Sequence, residues 1–585
     1  MLLGAIPLMA LGAGAPSLLA NRGFDDGLAG WQMNPGAARI EAVRIADRSA
    51  ARIVVPDGAA VGFPCLYQEI PAGPGDLLQA GVEASRKNVR EGYGAYAAIE
   101  FYDAEAKRLS ATSSNAAPFE GQWTELKVRA LAPPGTVKAR LCLLLNGRGE
   151  ARFDNATLVR LPVIAPKALG GPVTLTVTGK VVCDSLIGFG AEDDGWFYGP
   201  ENMAHGITAE DIALREGRIE WMHPSWVRMF FWHKDWCPSG DWETFTFDSP
   251  NMQSHYRTLD LYQRLGARVN VTGVEWGMPD AYRQPERFAR AVGALFEHLI
   301  RTKGYTCVQD WTLTNEPNGS FAPLGYSFEQ FVELHRLVKQ EFERRGLAVN
   351  VVGSDDTGSP EWFAHCVKDD TYFRTAGLFS SHGYLRDTSR FLVPYFFADR
   401  LAALQSRSPI KPFVVGEFGF QDARSGTFAN PLMKTYPYAI WTAAFVIEGL
   451  NQGAAGFSIW CLHEVQYPGS EMMNYGLWDF KDDGWKTRPV YYAWADFCRL
   501  TRAGDKVRQC LSSHPGNVTG AVVGNTLFWV NEGSEPATVQ LSGFPAAQVR
   551  ILTEATLTGD RECGVVEPIA GGRFTAPPQS FGYAR

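Results

Sequence analysis

The chain lacks a basic run and an arginine-rich helix: its 585 residues carry 55 lysines and arginines against 63 aspartates and glutamates, a net charge of −8. Nucleic acid and anionic membranes are bound through a concentrated positive footprint, so neither is expected as a partner. Hydrophobic residues at 45% and charged residues at 20% exclude a disordered or membrane-resident chain and fit a soluble globular one. Ten cysteines, at positions 65, 142, 183, 237, 307, 366, 461, 498, 510 and 563, form no CxxC pair and no dense framework. Their spacing supports no metal site, and no cofactor is expected. Most read as buried thiols with room for one or two disulfides, Cys498 and Cys510 being the nearest pair in sequence.

The N-terminus, Met1 to Ala20, is apolar, rich in small residues and uncharged in its side chains. It resembles a secretory signal without a basic n-region, with a plausible cut before Asn21, so a secreted or periplasmic location is expected. The competing reading is a hydrophobic tail packed on the first domain. No cysteine lies near enough for a lipoprotein box.

Aromatic side chains are plentiful, with 17 tryptophans, many of them beside polar residues in the middle third. At least half must be ordinary core. The others suit the flat apolar faces of sugar rings.

At this length about three or four domains are expected. Residues 21–162 alternate short strands with Gly, Pro and Asp turns, as in Ala51–Val55, Leu66–Ile70 and Lys138–Leu145, which implies a β-sandwich. Leu161 to Pro172 is a linker by its proline and glycine content. The following strands, Val173–Val177 and Lys180–Val182, belong either to the floor of the next domain or to a C-terminal sheet.

From Ile187 onward strands alternate with amphipathic helices, the pattern of a parallel sheet wound by right-handed crossovers. Eight strands are expected in order. They end near Glu192, Phe231, Val274, Asn315, Ser354, His382, Glu417 and Trp460, with helices near 284–301 and 327–345. The fold class is therefore α/β, a (β/α)8 TIM barrel over residues 172–502, flanked by the N-terminal sandwich and a small all-β domain at 503–585.

Two of these strand ends share a design. Val308 to Leu313 is an apolar run that stops at Thr314-Asn315-Glu316-Pro317, where proline forbids further pairing and a carboxylate is left at the tip. Pro412-Phe413-Val414-Val415-Gly416-Glu417-Phe418-Gly419 likewise delivers a glutamate to a strand end between glycines. About three βα units of roughly 30 residues fit between them. On strands four and seven of one barrel the two carboxylates would face each other across its mouth.

This pair, Asn-Glu-Pro and Gly-Glu-Phe-Gly, resembles the acid/base and nucleophile of the clan A glycoside hydrolases, the superfamily of the cellulase-like family 5 and the xylosidase-like family 39. The resemblance covers roughly Val182 to Leu500. It implies a retaining β-glycoside hydrolase acting by double displacement on β-linked poly- or oligosaccharides, with Glu417 as nucleophile and Glu316 as acid, then base. It further implies that Arg228 steadies the nucleophile, Asn315 holds the sugar 2-hydroxyl, Tyr384 donates to Glu417, His382 lines the subsite and Trp460 lies under the sugar.

Trp196, Trp232, Trp236 and Trp276 are candidates for further stacking platforms, and His233, His463 and Glu464 for reading hydroxyls. The chain departs from family 5 where strand three runs into Val274-Glu275-Trp276-Gly277 instead of contributing a histidine. The ends of the sandwich resemble jelly-roll carbohydrate-binding modules, with Tyr93, Tyr96, Tyr102 and Trp123 as a candidate platform. The alternatives in function are a transglycosylase on the same two glutamates and a non-catalytic carbohydrate-binding protein. Sugar, linkage, endo or exo action and oligomeric state are not specified by the sequence.

Overall fold

The computed structural model describes residues 16–585, so the signal-like segment expected at 1–20 lies outside the described residues except for its last five. The chain divides into two compact units, one of the described residues up to Ile164 with Ser359–His365, the other of Ala165–Gly358 with Cys366–Arg585. No helix among the described residues is long and apolar enough to cross a membrane.

The first unit is built on one eight-stranded antiparallel sheet. Its spine is a pair of long strands, Leu77–Tyr102 and Lys138–Leu161, paired along most of their length. On the first of them the inward positions are even at Ala80, Val82 and Ala84 but odd at Ala95, Ala97, Ile99 and Phe101. The parity flips because register breaks lie between them, where Asn88, Glu91 and Gly94 take positive φ. Since side chains alternate faces with a period of two, an inserted residue lets one strand keep facing a core that has moved to its other side.

Leu18 N donates to Leu158 O at 2.8 Å, and Ala20 exchanges two hydrogen bonds with the Gln68 side chain. The expected aromatic platform is not assembled as the sequence suggested. Tyr96 and Tyr102 are buried, Tyr102 donating its hydroxyl to Glu100, while Trp123 is half-buried with Arg48 over its ring at 4.6 Å. Tyr93 alone of the four is exposed.

The second unit contains eight parallel strands, numbered here β1 Gly188–Ala191, β2 Trp226–Trp232, β3 Arg268–Val274, β4 Val308–Thr312, β5 Asn350–Asp356, β6 Leu378–Arg386, β7 Phe413–Gln421 and β8 Gly456–Ile459. From β2 to β8 each strand pairs with its sequence neighbour, and β1 pairs with β8. Ser225 N donates to Phe189 O and Asp193 N to Arg228 O, each at 2.9 Å, which joins β1 to β2 and closes the barrel. Ile187, Trp226, Val352, Leu378, Val414 and Ala455 seal its floor.

Local sequence accounts for the helix starts. Ser327 caps Phe328–Arg344 and forms a reciprocal capping box with Gln330. Thr208 and Asp211 do the same for Ala209–Met222, leaving fewer unpaired amide donors at each N-terminus.

Val173–Cys183 pairs antiparallel with Val507–Ser512 and parallel with Ala537–Ser542. Of the two places left open by the sequence, it therefore occupies the C-terminal one, as the seventh strand along a nine-stranded sheet. The helix Tyr436–Gln452 ties this sheet to the barrel through Asn451 Nδ2 to Gly520 O at 2.8 Å and Tyr436 Oη to Gln579 O at 2.8 Å. All ten cysteines are free thiols. The one or two disulfides for which the sequence left room are not formed, and Cys498 and Cys510, the nearest pair, are kept apart because Cys510 packs in the apolar core of the C-terminal sheet, a cluster that Cys498 does not join.

Closure leaves no room at Gly190, where a Cβ would overlap the backbone oxygen of Trp226. Gly190→Ala is expected to destabilise the barrel by about 3 kcal/mol or more, as overpacking against rigid backbone does. Thermal denaturation of the purified variant checks this; an unchanged Tm would contradict the closed seam between β1 and β2.

Candidate active site

Parallel strands end at one rim, so residues that terminate different strands meet there. Arg228, on β2, is fully buried and makes the central contacts. Its Nη1 donates to Glu192 Oε2 at 2.8 Å and Glu417 Oε1 at 2.6 Å, and its Nη2 to Asn315 Oδ1 at 2.9 Å and Asp355 Oδ2 at 2.7 Å. Asn315 and Glu316 follow β4, where the chain leaves the sheet. Glu316 has φ of +50°, and its carbonyl accepts from Gly319 N at 2.7 Å and Ser320 N at 2.8 Å. A non-glycine residue in that region costs roughly 1–3 kcal/mol, which the surrounding turn must hold in place.

His382 and Tyr384 are two positions apart on β6 and so share a face. The strand pairs with β7 so that His382 lies opposite Glu417, with a register shift just before it. Tyr384 Oη donates to Glu417 Oε2 at 2.9 Å. The His382 ring, buried, places Nδ1 at 2.8 Å from Glu316 Oε1 and 3.5 Å from Glu417 Oε2. A carboxylate oxygen of Glu316 and one of Glu417 lie within 4.8 Å of each other and of a His382 ring nitrogen. Because both oxygens of Glu417 already accept from Arg228 and Tyr384, this trio is better described as a hydrogen-bonded carboxylate pair than as a cation cage.

A cleft of about 570 Å³ opens over the pair. Phe230, Trp232, Trp276, Trp460, Tyr467 and Phe428 give it aromatic walls, and the charged residues that line it are Glu316 and Glu417. Trp276 stacks on Tyr467 with centroids 5.7 Å apart and ring planes 24° apart. Trp460 packs on Phe230 at 5.6 Å.

The structure thus brings together Glu316, Glu417, Arg228, Asn315, His382 and Tyr384, with Trp460 and Trp276 on the walls. It withdraws other candidates. Trp196 and Trp236 are buried, with Trp196 Nε1 donating to Asp235. His233 is enclosed by aromatic rings. His463 binds Asp193 at 2.8 Å, and Glu464 accepts from Arg488 and from Phe480 N, which commits both to the scaffold. Two carboxylates of the Arg228 cluster, Glu192 and Asp355, were not singled out by sequence. Glu192 carried the available signal, being another acid at the end of a glycine-containing strand.

No family model and no curated protein matches the chain. Solved structures do. The catalytic domain of GH30 xylanase C from Talaromyces cellulolyticus is similar with a TM-score of 0.52 at 14% identity, over 70% of this chain and 99% of that one. An endo-β1,6-glucanase matches with 0.51 at 12%, over 84% and 99%. SrfJ from Salmonella typhimurium matches with 0.51 at 13%, over 73% and 95%. The chain shares the fold of these proteins, two of which, the xylanase and the glucanase, are glycoside hydrolases.

The cluster's electrostatics follow from burial set against charge. Burial pushes the Glu192 carboxyl up to about 8, with Arg228 opposing and the Glu417 charge adding to the rise. Burial raises Glu417 as well, against the pull of His382 and Arg228. At Asp355 burial is overcome by Arg228 and His382, and its carboxyl is held below the usual range. For His382 burial disfavours the imidazolium, but Glu417 and Asp355 outweigh it and raise the ring well above its ordinary value.

An unfolded glutamate ionises near 4.5, whereas Glu192 in the folded chain does so near 8. The folded state holds that proton more tightly, so its stabilisation is complete below the lower value and lost as pH rises through the higher one. Glu192→Gln is expected to flatten the decline in Tm between about pH 5 and 8. Parallel Tm profiles for the two proteins would show that Glu192 does not titrate in that window.

Proposed function

We propose that the protein is a retaining β-glycoside hydrolase acting on β-linked oligo- or polysaccharides. The single observation that carries this reading is the approach of Glu316 and Glu417 to within 4.8 Å across the barrel mouth. Retaining enzymes space their carboxyl groups about 5–5.5 Å apart, whereas inverting enzymes need roughly 6.5–9.5 Å to admit a water molecule. The glycoside hydrolase fold of the structural neighbours supports the same class of substrate, and a protein that only binds sugar has no use for two facing carboxylates.

In this reading Glu417 attacks the anomeric carbon. Arg228 and Tyr384 donate to its two oxygens, which fixes the carboxylate plane and favours the ionised form. Glu316, nearer solvent at 29% side-chain exposure, protonates the departing oxygen and then takes the proton of the water that resolves the glycosyl-enzyme. Having given its proton to the leaving group, Glu316 is left as the carboxylate that the second step needs as base. Asn315, oriented by Arg228, faces the sugar 2-hydroxyl, and Trp460 and Trp276 provide apolar faces for sugar rings. We assign the C-terminal sheet, tied to the barrel by the helix Tyr436–Gln452, a supporting role. The leader-like terminus and the exported structural neighbour from Bacteroides fragilis support a role outside the cytoplasm.

Glu417→Ala is expected to abolish hydrolysis of aryl β-glycosides, with azide restoring turnover to an α-glycosyl azide. Glu316→Ala is expected to lose about 10²–10⁴-fold on substrates with poor leaving groups and much less on activated ones, with azide giving the β-product. Because Glu417 is raised, the acidic limb of kcat/KM is expected above the ordinary glutamate range. A screen of aryl glycosides and polysaccharides, read by product length, identifies the substrate; undiminished hydrolysis by Glu417→Ala would remove the mechanism.

A further inference from the structure

Asp355 lies at the end of β5 in the sequence Ser354-Asp355-Asp356. On a regular strand its two neighbours would face one way and Asp355 the other. Here β5 and β6 shift register between Ser354 and Asp356, and Ser354 and Asp355 take φ of +65° and +55°. A bulge of this kind re-aims a side chain, and strained non-glycine backbone persists only where its surroundings over-determine it. Both aspartates are fully buried but serve different partners. Asp356 accepts from Ser354 Oγ at 2.7 Å and Ser381 Oγ at 3.0 Å.

Asp355 turns toward the carboxylate pair. Its Oδ2 accepts from Arg228 Nη2 at 2.7 Å, and its Oδ1 accepts from Ser380 Oγ at 2.7 Å and stands 3.3 Å from His382 Nε2, an ion-pair contact without hydrogen-bond alignment. The space for this is made by Gly416 on β7, where a Cβ would stand 2.9 Å from Asp355 Oδ1 and would crowd Ser380 Oγ and His382 Nε2. Arg228 in turn holds Glu417, and the far nitrogen of His382 meets both glutamates.

We propose that Asp355 is a positioning residue: by anchoring Arg228 with one oxygen and the His382 ring with the other, it sets the placement of both Glu316 and Glu417. The inference rests on the two-glutamate reading. Asp355 touches neither glutamate and does not line the cleft, so its effect passes through the cations it holds. Around His382 stand Glu316 from the turn after β4, Asp355 and Asp356 from β5, Glu417 from β7 and Tyr384 on its own strand. Arg228 lies beyond Asp355, and Arg400 of the helix Val393–Gln405 lies beyond Asp356. The imidazolium is therefore set among carboxylates, with Asp355 its anchor on the side away from the cleft.

The test is Asp355→Asn in the full-length protein, which keeps shape and removes charge. The expected result is a loss in kcat/KM on the order of 10²-fold, as for a small misplacement of reacting groups. The whole pH profile should also move to lower pH, because removing an anion from a coupled cluster loosens every proton the cluster holds. A change confined to scale would mark a merely structural role and overturn the proposal, as would kcat/KM within about twofold of wild type. Should Asp355→Asn fail to fold, the wild-type His382 ring decides, its nitrogen resonances assigned by their loss in His382→Asn. Protonation of both nitrogens at pH 7 supports the proposal, and a neutral ring overturns it. Activity in Glu417→Ala would instead sink the two-glutamate reading, so the failures are distinguishable.

Discussion

One buried cation organises the mouth of this barrel. Arg228 has no exposed side-chain surface, and its two terminal nitrogens are shared among Glu192 after β1, Asn315 after β4, Asp355 on β5 and Glu417 on β7. Removing a guanidinium from water costs several kcal/mol, recovered only if partners and geometry are nearly complete. The segments that supply those partners are therefore held to one arrangement, and the planar fork of the guanidinium dictates the orientation of each acid around it. Replacing any partner would leave charge unpaired in a low-dielectric interior, so the precision of the site and the closure of the barrel depend on the same contacts.

The cluster does not balance if every group carries its ordinary charge. Arg228 and a protonated His382 face Glu192, Asp355, Glu417 and Glu316, four carboxyls against two cations. Burial resolves the excess unequally. Glu192, with one oxygen on Arg228 and the other buried without a partner, keeps its proton up to about 8. Asp355, with a hydrogen bond from Ser380 and both cations beside it, stays ionised. A proton thus sits on Glu192, away from the cleft lining, and negative charge is kept where two cations can stabilise it. Carboxyl groups of one type are given different tasks by environment alone.

Much of this was legible in the chain. Short apolar runs ending in Asn-Glu-Pro and Gly-Glu-Phe announce strands that deliver acids, and the period-two spacing of His382 and Tyr384 places both on one face. Ser327 and Gln330 mark a helix start by hydrogen bonds three residues apart. Asp355 was not legible, because a bulge and two left-handed residues leave no signature in Val-Gly-Ser-Asp-Asp that separates it from a strand ending in solvated acids. The parity flip in Leu77–Tyr102 was hidden for the same reason: alternation predicts faces only while register holds. Trp196 and His463 were misplaced because aromatic and polar residues look alike in sequence whether they line a cleft or pack behind it.

The walls of this cleft are built by loops above the strands. Trp276, after β3, and Tyr467, after β8, come from opposite sides of β1 and β2, yet their rings stack, and the Tyr467 hydroxyl is held by the buried Asp194 at 2.7 Å. Rings in mutual contact leave no slot for a sugar between them, so this pair roofs the β1–β2 sector and acts as a wall. The loop after β7 adds Phe428, tied down where Asn474 N donates to Phe428 O at 2.7 Å and Asn430 Nδ2 to Phe420 O at 2.8 Å. These walls rest on contacts between loops and not on the strand register that sets the carboxylate spacing. Carboxylate spacing and cleft shape are thus carried by different parts of the chain, the first by strand register and the second by loops, where sequence can change without disturbing the barrel.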